Sequence, residues 1–311
     1  MHAFIESVGA YVPERVVTND ELAETIDTSD EWIFSHTGIR ERHIAGDDET
    51  ESEMAMHAAK AALRNAHIDA KDVDLILIAT STPEFPGFPS TAAIVQHKLG
   101  AKRAGAMDLF AACTGFVYGL ETARAYVESG GAKRILVVGV EKYSKILDWE
   151  DRNTCVLFGD AAGAVLVSSS VNGSRSRIVT GTLYSMGEGG RHLYIDNVIH
   201  MNGRRVYNFA VKALCDTVNE LLATEADARN RVAAIVPHQA NVRIIDAAIK
   251  RLGFEDTMFY KNMDRFANTG SASIPLALNE MCERNMLNRG DLILTIGFGG
   301  GLTYGGNLIY W

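Results

Sequence analysis

The chain has 311 residues, 47% of them hydrophobic and 22% charged, with a formal net charge of −9. That balance excludes a disordered or membrane-embedded chain, and the length lets one large domain or two fused halves bury roughly three quarters of the unfolded surface. Excess negative charge repels a polyphosphate, so no nucleic acid partner is expected.

Residues 1–7 carry no basic n-region, and no apolar run reaches the roughly 18 residues that a membrane span needs, so a cytoplasmic protein without membrane contact is expected. Met54, Ala58, Ala62 and Ala66 form a helical stripe within 51–67. Val73–Ala79 reads as a strand, residues 80–92 as a Pro-rich insertion, and Lys98-Leu99-Gly100 as a helix end with a glycine cap. Ala106–Ala112 reads as a buried strand, and the period becomes helical from Thr114 to Leu120. Cys113 stands between the two. Farther on, Arg134–Gly139 is a second buried strand, 141–158 a polar insertion, and 159–167 a glycine-rich closing strand expected at a sheet edge.

The second part of the chain repeats this plan. Val206, Phe209, Ala213, Val218 and Leu221 stripe a helix over 204–223, Val232–His238 is a strand, and Arg251-Leu252-Gly253 ends a helix. Asn268-Thr269-Gly270 matches Cys113-Thr114-Gly115, Asp291–Gly297 matches the strand at 134–139, and 299–309 closes as 159–167 does. Strands alternating with helices predict an α/β fold of mostly parallel sheets covered by helices. The repeat predicts halves 1–172 and 173–311, with Cys113 in the first and His238 and Asn268 in the second.

An uncharged Cys in an apolar segment is usually a small buried hydrophobe. At a strand-to-helix turn, however, a thiol faces free backbone N–H groups and the positive helix end, which favour thiolate and so a covalent nucleophile. The other cysteines, Cys155, Cys215 and Cys282, form no C-x-x-C pair, so neither a metal site nor a redox dithiol is expected. Gly297-Phe298-Gly299-Gly300-Gly301 lacks the third spaced glycine and the following helix of a dinucleotide loop.

Asp108–Phe116 around Cys113, Pro237-His238-Gln239-Ala240-Asn241 and Asn268–Pro275 together resemble the beta-ketoacyl-acyl-carrier-protein synthase III family of thiolase-fold condensing enzymes, from Trp32-Ile33 to Phe298–Gly301. The resemblance implies a thiolase-like fold of two duplicated halves, each a five-stranded mixed sheet, layered αβαβα. It implies a catalytic triad of Cys113, His238 and Asn268, an oxyanion hole from the N–H groups of Cys113 and Gly300, and decarboxylative condensation of an acyl thioester with a malonyl thioester. No cofactor is implied; acyl-coenzyme A and malonyl-acyl-carrier protein are the substrates.

By the same resemblance Trp32 and Arg152 flank the adenine of coenzyme A, while His36, Thr37, Asn202 and Asn241 lie at nucleotide or pantetheine positions. His36 stands where the family has arginine, and an imidazole cannot clamp phosphate bidentately, so a carrier-bound primer is an alternative donor. Arg243, Lys250 and Arg251 share a helix face at the position that docks acyl carrier protein. The resemblance further places Phe88 in a loop expected to reach across a homodimer to the partner's acyl pocket, and Leu302 where the family has an aromatic residue of the acyl pocket. Competing expectations are a type III polyketide synthase, a non-condensing acyltransferase, and a noncatalytic subunit that binds acyl carrier protein.

Overall fold

The computed structural model describes residues 1–169 and 176–311, so the expected boundary between 172 and 173 lies outside the described residues. Among the described residues nine strands form one mixed sheet: β1 (Phe4–Tyr11), β2 (Leu75–Ala79), β3 (Gly105–Leu109), β4 (Arg134–Glu141), β5 (Ala161–Ser168), β6 (Ser176–Ser185), β7 (Val232–Pro237), β8 (Leu292–Gly299) and β9 (Thr303–Tyr310). Their spatial order is β7-β8-β9-β6-β1-β5-β4-β2-β3. In the first half β2 lies parallel to β3 and β4, and β5 returns antiparallel to β4. In the second, β7 and β8 are parallel and β9 returns antiparallel to β8.

The first half thus has five strands. The second has four, because the counterpart of β3 shrinks to a single parallel bridge between Ile235 and Phe259. The halves join edge to edge where Phe4 and Ile5 of β1 pair with Arg177 and Ser176 of β6. That junction corrects the expectation that 159–167 and 299–309 form edges. β5 lies between β4 and β1, and β9 between β8 and β6, because the first strand of each half pairs on their outer side.

The principal helices are α1 (Asp30–Thr37), α2 (Glu51–Ala66), α3 (Thr91–Leu99), α4 (Gly115–Glu128), α5 (Gly203–Ala223), α6 (Val242–Leu252) and α7 (Ser273–Glu283). Helices α2 and α3 cover the first half from outside, and α5 and α6 cover the second. Between the halves, α4 and α7 touch strands of both, giving the expected five layers. Phe116, Val117 and Leu120 of α4 interlock there with Ile274, Ala277 and Leu278 of α7 in one buried cluster.

Central packing this close needs missing side chains. A Cβ at Gly139 of β4 would collide with the Ser271 carbonyl at the start of α7. Helix ends follow the local chemistry read above. Thr50 caps α2 through the Glu53 N–H, and Gly100 and Gly253 end α3 and α6 in the left-handed conformation that glycine adopts at low cost.

Candidate active site

Cys113 lies just past β3, in a 3-10 turn over Ala112–Thr114 that feeds α4. The preceding strand is not the buried one expected: it is the last strand of the sheet, its residues are partly buried, and Phe110 is 76% exposed. Ala112 takes a positive φ of 46°, which turns the chain sharply and presents the next side chain inward. The turn is tied to the far half through Thr303, whose hydroxyl lies within donating distance of the Ala111 carbonyl at 3.1 Å and the Gly300 carbonyl at 2.9 Å.

The sulfur sits under the glycine-rich end of β8. A Cβ at Gly299 would lie 2.7 Å from Cys113 Cβ, so only glycine admits the cysteine side chain there. Backbone N–H groups of Cys113 and Gly300 both act on the sulfur and lower its pKa, but burial and the Glu141 carboxylate outweigh them and push the thiol up to about 12. The expected lowering by the helix end is therefore reversed in the resting site, because enclosure removes the water that would solvate a thiolate.

His238 follows β7 and is held by its own N–H on the Ile296 carbonyl at 2.8 Å. Its Nδ1 lies 2.7 Å from Ser273 Oγ at the first residue of α7. That oxygen also accepts from the Gln239 N–H at 3.4 Å; with the Ser273 proton on Nδ1, the imidazole carries its hydrogen on Nε2. Burial alone drives His238 down to about 3, so it is a neutral donor.

Asn268 arrives on a loop after Ala267, which takes a positive φ of 55° as Ala112 does before Cys113. Its backbone is clamped by the insertion of the first half: Asn268 N–H donates to the Leu157 carbonyl at 2.9 Å, and Gly159 N–H to the Asn268 carbonyl at 3.0 Å. The side-chain Oδ1 accepts from Gly270 N–H at 2.9 Å, which leaves the amide nitrogen as the end available to a ligand.

Cys113, His238 and Asn268 all line one cavity of about 520 Å³. His36, Asn241 and Arg243 line it too, and Arg243 is exposed on α6 with Lys250 and Arg251. A second cavity of about 490 Å³ lies on the other side of Cys113, among Tyr143, Phe158, Ile199 and Gly300. The thiol stands where the two adjoin.

Other expected contacts are placed differently. Thr37 is buried, donating to the Ile33 carbonyl at 2.6 Å and accepting from Ile39 N–H at 3.0 Å, so its hydroxyl serves the end of α1 and lines neither cavity. Asn202 caps α5 by accepting from Arg205 N–H, and only its neighbours Met201 and Gly203 line the cavity. Leu302 is fully buried but turned away, packed against Gly189 and Met186, so it does not line the second cavity. Phe88 is 94% exposed, outside both cavities of its own chain.

Trp32, His36 and Arg152 do come together: the His36 ring stacks on Trp32 at 4.5 Å, and the Arg152 guanidinium lies 5.1 Å from the Trp32 ring. Asn241 caps α6 and donates to the His36 carbonyl at 3.0 Å. Sequence reasoning missed Ser273, Thr303, Tyr143 and Ser81, ordinary polar residues placed by tertiary contact. Glu141 left a signal, a charge ending the apolar strand that begins at Arg134.

A five-layered fold with a cysteine on the helix between two halves, facing a histidine and an asparagine from the second, defines a thiolase-like condensing enzyme. The solved 3-oxoacyl-[acyl-carrier-protein] synthase III of Aquifex aeolicus superposes with a TM-score of 0.95 at 44% identity, covering 99% of this chain and 100% of that one. A priming beta-ketosynthase of the R1128 polyketide pathway gives 0.92 at 36% identity, covering 99% and 96%. The beta-ketoacyl-[acyl-carrier-protein] synthase III of Geobacillus kaustophilus is 49% identical over 311 residues, 100% of this chain and 99% of its own. Family models described as 3-oxoacyl-[acyl-carrier-protein (ACP)] synthase III and its C-terminal part match residues 107–187 and 222–311. The chain belongs to the 3-oxoacyl-[acyl-carrier-protein] synthase III family, and it is an acyltransferase-type condensing enzyme.

Proposed function

We propose that the chain condenses an acyl thioester primer with malonyl-acyl-carrier protein, through an acyl group held on Cys113, to give a 3-oxoacyl product for fatty acid synthesis. The convergence of Cys113, His238 and Asn268 on one cavity carries this reading. In the first step the Cys113 sulfur attacks the primer carbonyl and expels the thiol carrier. The N–H groups of Cys113 and Gly300, which already act on the sulfur, hold the developing oxyanion. The acyl chain then occupies the cavity beside Tyr143 and Phe158.

In the second step the malonyl thioester enters from the Arg243 side. Nε2 of neutral His238 and Nδ2 of Asn268 donate to its thioester oxygen, so that loss of carbon dioxide leaves a stabilised enolate. The enolate carbon attacks the acyl-Cys113 carbonyl, and collapse returns the sulfur. The thioesters supply the driving force, and no cofactor takes part.

Division into halves 1–172 and 173–311 belongs to this reading, as do a cytoplasmic setting and a homodimer. Exposed Phe85, Phe88 and Phe110 support the dimer, since large apolar side chains in water mark a contact surface. Arg243, Lys250 and Arg251 form the face for acidic carrier protein. The Trp32, His36 and Arg152 group supports coenzyme A binding, and the Trp32 face that His36 covers leaves a carrier-bound primer open as donor.

Intact-mass spectrometry after exposure to a panel of acyl-coenzyme A and acyl-carrier-protein thioesters tests the reading. One acyl adduct on Cys113 is expected, discharged to a 3-oxoacyl product by malonyl-carrier protein. Absence of any adduct across the panel overturns it.

A further inference from the structure

Attack by Cys113 requires its proton to go somewhere, and among the described residues facing the mouth His238 is a poor acceptor. His238 is buried, neutral and engaged with Ser273 through its Nδ1. The other side of the sulfur is different. Tyr143 Oη lies 3.7 Å from Cys113 Sγ, with the Tyr143 ring packed on Phe158 at 4.8 Å between centroids. Its hydroxyl fills the space beside Gly270, where any Cβ would collide with it.

Ser81 lines the same cavity as Tyr143 and Cys113 and donates its hydroxyl proton to Glu141 Oε1 at 3.3 Å. Glu141, the last residue of β4, is fully buried. Its other partners are neutral: the Ser81 N–H at 2.9 Å, the Thr82 hydroxyl at 3.1 Å and the Ser271 hydroxyl at 2.8 Å. A carboxylate buried without a cation has a strong preference for taking up a proton, and burial pushes Glu141 up to about 7. Its charge also opposes a thiolate. Two anions side by side in a dry site are costly, whereas moving one proton from sulfur to carboxylate leaves a single charge.

We infer that Tyr143 and Ser81 relay the Cys113 proton to Glu141 as the sulfur attacks the primer. The S–H bond breaks and its electron pair stays on sulfur. Tyr143 Oη takes that proton and passes its own to Ser81 Oγ, which passes its own to Glu141 Oε1, leaving a neutral carboxylic acid, while the carrier departs as a thiolate and takes its proton from water at the mouth. When condensation later expels Cys113 as thiolate, the same path runs backward and restores the thiol and the carboxylate. Tyr143 touches the reacting sulfur, and Ser81 and Glu141 act through it. The inference rests on Cys113 being the nucleophile.

Single-turnover acylation of Cys113 by a short acyl-coenzyme A, followed by mass spectrometry, separates the two. Tyr143→Phe keeps the ring on Phe158 and removes the relay hydroxyl. It should acylate about 10²-fold more slowly, the lower end of what a positioned proton acceptor supplies, and lose the solvent deuterium isotope effect of the parent. Glu141→Gln gives an independent sign. If Glu141 only repels a thiolate, removing its charge speeds alkylation of Cys113 by iodoacetamide; the relay predicts slower alkylation. Parent-like acylation by Tyr143→Phe, or faster alkylation of Glu141→Gln, overturns the relay while leaving Cys113 as the nucleophile. A parent that never acylates overturns the underlying reading instead.

Discussion

The Cys113 turn and the Asn268 turn are the same device built twice and used differently. Each follows an alanine at positive φ, Ala112 or Ala267, and each runs through a 3-10 turn into a central helix. In the first half a true strand, β3, leads almost directly to Cys113. In the second that strand is one bridge at Phe259, and residues 260–267 bring Asn268 in by a longer path. The longer path is compensated from outside, by backbone bonds from Leu157 and Gly159 of the opposite half. Duplication thus supplied a repeated way to aim a side chain. The insertion at 141–158 then locked the second copy's amide against the first copy's sulfur.

If the halves divide the labour in this way, their chemistry can be separated. The largest effect is expected at Asn268→Ala, which should still acylate Cys113 but lose malonyl decarboxylation by about 10²- to 10³-fold, the usual consequence of deleting one oxyanion donor. Carbon dioxide release from the variant at the parent rate would dissolve the comparison.

A second test concerns the neutral donor of the second half. His238 is held at about 3 against an ordinary 6.5, so below 6.5 the unfolded chain binds a proton that the folded chain refuses. Stability should therefore fall as pH drops from 6.5 toward 3, and His238→Gln should remove part of that slope by an amount on the order of a few kcal/mol. Urea unfolding of both proteins across that window measures it. Parallel curves would mean that the imidazole is not held neutral.

The smallest effect is expected at the mouth. Arg243→Glu should slow turnover with carrier-protein substrate severalfold and spare acylation from a small thioester, since an exposed charge acts mainly on encounter. Steady-state assays with the two donors check this, and equal loss of both would remove Arg243 from carrier-protein docking.

Much of the frame was legible from pattern. The stripe from Met54 to Ala66 predicted α2, which spans Glu51–Ala66, and Gly100 and Gly253 marked helix ends because a left-handed cap favours glycine. The internal repeat foretold two layered halves, and the three motifs named the side chains that share a cavity. These are local or periodic properties, written into a few residues at a time. Side-chain direction is not. Thr37, Asn202 and Leu302 occupy positions that the resemblance marks as contacts, yet two are consumed by helix ends and one packs against Gly189.

Electrostatics depended even more on the assembled molecule. A helix N-terminus after Cys113 argued for a lowered thiol, but enclosure and Glu141, 28 residues away in the chain, reversed the direction. Sequence alone determined which chemical groups the protein owns and the regular elements that carry them, since both follow from composition and short-range spacing. Only the tertiary structure decided which of those groups lose water and which face one another, because dielectric environment and contact arise between segments far apart along the chain.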